Sequence, residues 1–184
     1  MEQEVKQIRV LIADDSPAVR AGIYGMLRRY KDLAIVGKAS DGAEAVRLVG
    51  EVKPDVILMD VSMPRIDGVR ATKEILKIYS KVCVLGLTGH DYDKHAKAMF
   101  KAGAHGFILK DSSGSQIREA IRTVYETGCY ISPGLSKMFI ENIADDDIQA
   151  EKNLMKIPSS RECQVIKLLA CGLGLTAVAR KLRL

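Results

Sequence analysis

Three aspartates, a threonine and a lysine stand directly after or at the end of short apolar runs. They are Asp14 and Asp15 in "LIADDSP", Asp60 in "VILMDVSMP", Thr88 in "LGLTGHD" and Lys110 in "FILKD". Clustered carboxylates attract a hard divalent cation such as Mg²⁺, which prefers oxygen ligands and often shares them with a phosphate. Asp60 could then attack phosphorus as a nucleophile, while Lys110 and Thr88 hold the oxygens of the transferred group. These residue types indicate phosphoryl transfer to an aspartate.

Each of these residues also has a purely structural interpretation. Asp15 or Ser16 before Pro17 is a good helix N-cap, with proline at the first helical position. Thr88 and Lys110, taken singly, are ordinary residues for the end of a strand. Asp60 follows four apolar residues and needs a partner, because an unpaired buried charge is costly. We favour the functional interpretation because all five side chains follow strands at the same end.

The elements that must position these residues are five apolar runs, each followed by a segment with helical periodicity. Strands are predicted at 8–13, 33–39, 55–59, 81–87 and 105–110, and helices at 17–29, 43–49, 68–79, 93–102 and 115–126. Continuously apolar strands are typical of a parallel sheet covered by helices on both faces. We therefore predict a doubly wound α/β fold, in which ligands bind beyond the carboxyl ends of the strands.

Composition excludes several other classes of protein. The 184 residues are 47% apolar, and no run is long enough to cross a membrane, so we expect a cytoplasmic protein without membrane contact. The four cysteines lack CxxC spacing, which predicts reduced thiols and neither a zinc site nor a disulfide framework. The charge is uneven: residues 1–150 hold 21 basic and 21 acidic residues, whereas 151–184 hold 7 and 2. A basic terminal segment hints at a polyanionic partner, although a charge run is more often a solvated face.

The motifs "ADDSPAVR", "DVILMDVSMPRIDG", "LGLTG" and "AGAHGFILK" resemble the receiver domain of two-component response regulators, over about residues 8–127. The resemblance implies a flavodoxin-like sheet of five strands in the order 2-1-3-4-5. It implies that Asp60 is the phosphoacceptor, that Asp15 and Asp60 bind Mg²⁺ directly, and that Asp14 binds it through water. The third protein ligand would be the main-chain carbonyl of Ser62.

The same resemblance assigns the remaining site residues and the partners. Thr88 matches the switch hydroxyl, Lys110 the lysine that contacts the phosphoryl group, and Phe107 the aromatic residue that changes rotamer on activation. The structural alternative for Phe107 is a plain core residue in a buried strand, and we favour the switch assignment. The donor would be a phosphohistidine on a sensor histidine kinase, and phosphorylation would favour a homodimer. Phosphoryl transfer and hydrolysis would be self-catalysed, so the chain is not expected to be an enzyme acting on other substrates.

The C-terminal part differs in character from the receiver. Residues 128–157 are interpreted as a linker with a short helix at about 135–143, and 158–184 as a small all-α segment. "GCYISPGLSK" and "PSSRECQVIKLLACGLGLTAVARKLRL" resemble the NarL/FixJ class, in which a LuxR-type helix-turn-helix follows the receiver. Arg180, Lys181 and Arg183 are candidates for weak phosphate contacts with DNA. The recognition and dimerisation helices of that class are not found before Leu184, and promoter DNA is expected as the partner of the full-length protein.

Two functions remain open from the sequence. The first is a phosphorylation-controlled transcriptional regulator that binds DNA, and the second is a receiver that acts by protein contact alone. A haloacid-dehalogenase-like phosphatase also uses an aspartate nucleophile, but it needs a second aspartate two residues later, where this chain has Ser62. We favour the transcriptional regulator.

Overall fold

The computed structural model describes residues 6–89, 92–132 and 164–165, within which strands and helices alternate. The strands are β1 Ile8–Ala13, β2 Leu33–Ala39, β3 Val56–Asp60, β4 Cys83–Thr88, β5 Gly106–Leu109 and β6 Tyr130–Ile131. The helices are α1 Pro17–Leu27, α2 Gly42–Val52, α3 Gly68–Ile78, α4 Tyr92–Ala102 and α5 Gly114–Thr127. The five predicted βα units are all present, with ends that differ by a few residues.

The strands form one parallel sheet in the order β2-β1-β3-β4-β5-β6. One apolar cluster contains residues of α2, α3 and α4, and a second contains residues of α1 and α5, so helices cover both faces. All five residues of β3 are buried, because they have neighbouring strands on both sides and helices on both faces. The doubly wound α/β fold and the order of its first five strands are confirmed.

The sheet differs from the prediction by its sixth strand. β6 follows α5 and pairs with β5, so that Gly106 lies opposite Tyr130 and Phe107 opposite Ile131. A Cβ atom on Gly106 would lie 1.7 Å from the carbonyl oxygen of Tyr130, so glycine at this position lets the last strand approach. β6 lies past the receiver limit expected at residue 127.

The carboxyl ends of the strands form the rim that carries the predicted site. Asp60 is the last residue of β3 and Thr88 the last of β4, while Asp14 follows β1 and Lys110 follows β5. Helix α1 is capped by Ser16, whose hydroxyl oxygen accepts the N–H of Val19 at 3.4 Å. The capping interpretation therefore applies to Ser16, and the exposed side chain of Asp15 is left for another role.

Most of the C-terminal predictions lie outside the described residues. Residues 164–165 are helical, which is the extent of the description beyond residue 132. The predicted linker helix at 135–143, the helix-turn-helix at 158–184 and the candidate DNA contacts Arg180, Lys181 and Arg183 thus stay predictions.

Candidate functional site

Three carboxylates meet at the rim of the sheet. One oxygen from each of Asp14, Asp15 and Asp60 lies within 4.8 Å of the other two. Asp14 is 0% exposed and Asp60 3% exposed, whereas Asp15 faces solvent. The loop after β1 and the end of β3 bring them together because β1 and β3 are adjacent parallel strands.

Lys110 neutralises part of this acidic cluster. Its Nζ lies 2.8 Å from Oδ2 of Asp14 and 2.8 Å from Oδ2 of Asp60. Burial lowers the pKa of Lys110, but hydrogen bonds and charge from Asp14 and Asp60 outweigh that effect and hold its pKa above the usual value. An ammonium group carries three donors and no acceptor. The group pairs with both aspartates and can still donate a hydrogen bond to an anionic ligand.

The surroundings of Asp60 raise the pKa of its carboxyl group. Burial raises its pKa, Lys110 opposes that effect, and the negative charge of Asp14 adds to it, so the pKa of Asp60 lies above the ordinary value. Oδ1 of Asp60 accepts the main-chain N–H of Ser62 at 3.3 Å, while Oδ2 meets Lys110. The main chain at Gly68 lies very close to Asp60, because a Cβ atom on Gly68 would lie 2.0 Å from the Asp60 carbonyl oxygen.

Thr88 and Phe107 do not share the ionic contacts of the acidic cluster. Thr88 is 5% exposed at the end of β4, and its hydroxyl donates to the carbonyl of Gly89 at 3.4 Å. Its own carbonyl accepts the main-chain N–H of Lys110 at 2.8 Å, which ties the two strand ends together. Phe107 is fully buried one strand over, in an edge-to-face contact with Phe100 at 5.0 Å between ring centroids.

The loop between β3 and α3 contains features that sequence reasoning missed. Arg65 has a φ of 64°, in the left-handed region, and its guanidinium forms an ion pair with the buried carboxylate of Asp41 at the start of α2. Gly68 donates its N–H to the carbonyl of Val61 at 3.0 Å, and Asp67 caps α3. The close approach of Gly68 to Asp60 has no recognisable pattern in a single sequence.

The donor set fits a hard divalent cation. Three carboxylates and one ammonium leave two net negative charges, and the exposed Asp15 offers oxygens toward solvent. Small divalent ions such as Mg²⁺ keep several waters and take one or two carboxylates, which agrees with a cluster open on one side. The chemistry such a group supports is the transfer of an anionic group to a carboxylate.

Comparison with known proteins identifies the family of this chain. Residues 10–122 match the model of the response regulator receiver domain. The chain belongs to the response regulator family. It is 35% identical over 180 residues to the oxygen regulatory protein NreC of Staphylococcus epidermidis, covering 95% of this chain and 83% of that protein.

Two further proteins are similar to this chain over most of their length. The transcriptional regulatory protein DegU of Brevibacillus brevis is 32% identical over 187 residues, covering 94% of this chain and 79% of that protein. The crystal structure of a LuxR-family two-component response regulator from Aurantimonas sp. SI85-9A1 superposes with a TM-score of 0.71 at 30% identity. It covers 76% of this chain and 100% of the other. The chain is thus a two-component response regulator of the NarL/LuxR type.

The helices in the part of the chain that the structure describes are short or polar. No helix there combines the length and the apolar character needed to cross a bilayer.

Proposed function

We propose that this response regulator accepts a phosphoryl group on Asp60 from the phosphohistidine of a sensor kinase. The observation that carries the proposal is the position of Lys110, 2.8 Å from both Asp14 and Asp60, beside the solvent-facing Asp15. Asp15 and Asp60 would bind Mg²⁺ directly and Asp14 through water, with the main-chain carbonyl of Ser62 as a further ligand.

The proposed transfer is a single displacement at phosphorus. An Oδ atom of Asp60 forms the new O–P bond, the P–N bond to the donor imidazole breaks, and the imidazole leaves with the bonding electrons and takes up a proton. Bound Mg²⁺ would supply positive charge to the phosphoryl oxygens. The ammonium group of Lys110 would donate to one of those oxygens. The hydroxyl of Thr88 would donate to another, once that hydroxyl has turned away from the carbonyl of Gly89.

Water later attacks the same phosphorus, the O–P bond to Asp60 breaks, and inorganic phosphate leaves as the carboxylate of Asp60 is regenerated. The chain thus catalyses both steps on itself. We accordingly propose no separate enzymatic substrate. The burial of Asp60 supports its role as phosphoacceptor, because Lys110 balances the charge of its carboxylate only partly before transfer.

The proposed output is control of transcription. The relatives NreC and DegU are named as regulatory proteins, and DegU as a transcriptional one. We propose that Thr88 and Phe107 relay phosphorylation to a homodimer contact and that the full-length protein binds promoter DNA. The basic composition of 151–184, with 7 basic and 2 acidic residues, supports a polyanionic partner. A cytoplasmic location remains a prediction.

Intact-mass spectrometry after incubation with acetyl phosphate tests the acceptor. We expect one added phosphoryl group on the parent chain with Mg²⁺, none with EDTA, and none on Asp60→Asn. Asp67→Asn is the matched control, because asparagine also caps helices and the change in charge is the same. Equal labelling of Asp60→Asn and the parent would overturn the assignment.

A further inference from the structure

Arg20 reaches back from helix α1 to the acidic cluster. Its guanidinium donates a hydrogen bond to the main-chain carbonyl of Asp14, six residues earlier. The residue is half-buried, and its own N–H donates to the carbonyl of Ser16 at 3.1 Å, as part of the first turn of α1. Arg20 therefore links a rigid helix to the loop that carries Asp14 and Asp15.

The other polar groups of Asp14 are already fixed. Its N–H donates to the carbonyl of Ala39 at 3.1 Å, its Oδ1 accepts the N–H of Ser16 at 2.8 Å, and its Oδ2 meets Lys110 at 2.8 Å. The carbonyl bound by Arg20 belongs to the peptide group that joins Asp14 to Asp15. Arg20 thus sets the plane of that peptide and with it the direction in which the exposed Asp15 leaves the main chain.

We propose that Arg20 is a positioning residue for the cation site, acting through the Asp14–Asp15 peptide. The inference rests on the proposed function, in which Asp15 is a direct ligand of Mg²⁺. Mg²⁺ demands near-ideal octahedral geometry, so a ligand held on a loosened loop binds it less well. The Arg20 side chain carries no oxygen that could bind the cation, and its hydrogen bond goes to the main-chain carbonyl of Asp14.

The positive charge of Arg20 lets experiment distinguish electrostatic repulsion from positioning, because the two effects change Mg²⁺ affinity in opposite directions. A guanidinium near the carboxylates repels a cation, so its removal would strengthen Mg²⁺ binding if electrostatics alone mattered. Loss of positioning acts in the opposite direction. Groups that orient metal ligands typically change metal affinity by about 10- to 100-fold when they are removed, whereas a half-exposed charge is screened by solvent. We expect positioning to dominate.

Calorimetric titration of the full chain with Mg²⁺ tests the proposal. Arg20→Met should bind Mg²⁺ about tenfold more weakly than the parent. Arg20→Lys keeps the charge and a donor, and should recover most of the affinity. Arg28→Met is the control for charge alone, because Arg28 is an exposed residue at the end of α1, away from the acidic cluster. Unchanged or tighter binding by Arg20→Met would overturn the inference.

A second measurement separates positioning from a general loss of structure. With acetyl phosphate, the Mg²⁺ concentration at half-maximal rate should rise about tenfold in Arg20→Met, and the rate at saturating Mg²⁺ should stay within about twofold of the parent. A fall in the saturated rate without a shift in half-saturation would contradict positioning. Should Arg20→Met fail to fold, Arg20→Gln provides the same comparison without charge. A parent chain that binds no Mg²⁺ would overturn both proposals, whereas normal parent binding with unaffected Arg20 variants would overturn this one alone.

Discussion

At the scale of single residues, the ionised carboxylate of Asp60 costs stability before any ligand binds. Asp14 and Asp60 are both nearly inaccessible to solvent, and Lys110 is the cation that contacts both. Burial and the charge of Asp14 raise the pKa of Asp60, which means that the folded state binds a proton at this carboxyl more tightly than the unfolded state. Ionisation of Asp60 therefore lowers the free energy of unfolding. The loss begins as the pH rises above 3.8 and is complete once the pH has passed the raised folded-state pKa.

Asp60→Asn should accordingly stabilise the chain at neutral pH in the absence of Mg²⁺. We expect the free energy of unfolding to rise by about 1 kcal/mol at pH 7. The reason is that a buried charge is removed while Lys110 retains its ion pair with Asp14. The gain should shrink as the pH falls toward 3.8, since the raised pKa lets Asp60 of the folded parent take up a proton over that range. Urea unfolding in EDTA at both pH values measures this, with Asp67→Asn as the neutral control. A less stable Asp60→Asn at pH 7 would refute the explanation.

Lys110→Met should have the opposite effect on stability. It leaves two buried carboxylates without their cation, a change that costs about 3 kcal/mol. The pKa of Lys110 is raised, so its contribution is complete below pH 10.5 and is lost as the pH rises through the higher folded-state value. Millimolar Mg²⁺ should restore more stability to this variant than to the parent. Thermal unfolding with and without Mg²⁺ gives the comparison.

Asp15→Ala separates Mg²⁺ binding from metal-free stability. It should weaken Mg²⁺ binding while changing metal-free stability little, because its side chain is exposed. Loss of Mg²⁺ affinity in Lys110→Met with normal affinity in Asp15→Ala would reverse the assignment of these two residues.

At the scale of secondary structure elements, Phe107 is held in place by the strand beside it. Gly86 of β4 lies opposite Phe107 of β5, and a Cβ at position 86 would lie 2.5 Å from the Cε1 atom of the ring. Phe100 of α4 contacts the ring from another direction. The absence of a side chain at Gly86 therefore creates the space in which Phe107 is buried.

Gly86→Ala should force the Phe107 ring to move. We expect a loss of about 1 to 3 kcal/mol, as for other cases of overpacking, and relief when it is combined with Phe107→Leu. Gly50→Ala is the control, since nothing lies within 4 Å of its Cβ position in α2 and alanine favours a helix. A double-mutant cycle by chemical unfolding gives the coupling energy. Additive effects of the two substitutions would show that the ring does not depend on the space at position 86.

At the scale of the whole molecule, the charge is divided between a neutral part and a basic part. Residues 1–150 carry equal numbers of basic and acidic side chains, so the net charge of +5 comes from 151–184. Each phosphate neutralised by a lysine or arginine contributes about −0.9 to the slope of log affinity against log salt for duplex DNA.

Replacing Arg180, Lys181 and Arg183 by glutamine should therefore reduce the salt slope of DNA binding by up to about 3, and similarly for promoter and random duplexes. The reason is that phosphate contacts carry little sequence information. Mobility-shift titrations at several salt concentrations measure the slope. Lys73→Gln with Lys77→Gln is the control, because both are exposed on α3 of the neutral part. A slope unchanged by the triple substitution would exclude these residues as contacts.

The sequence alone predicted the sheet and the residues at its rim, because each of these had one plausible place in the fold. Apolar runs predicted the sheet, and its parallel order then placed Asp14, Asp60 and Lys110 at one rim. β6 was not predicted, since two residues show no periodicity and their pairing depends on space left by Gly106. The bond from Arg20 to a main-chain carbonyl was missed for a similar reason: such contacts arise from the path of the folded chain, which a single sequence does not display.

The short strand β6 also affects how the receiver behaves when it is produced alone. β5 carries Phe107 and Ile108 in an apolar run, and Tyr130–Ile131 pairs with the side of β5 that would otherwise be an open edge. Unpaired, apolar edge strands are templates for aggregation, whereas very short ones are not. A fragment that ends at residue 127 would expose β5 to other molecules, and one that ends at 132 would offer only two residues of strand. Solubility should therefore favour the longer fragment.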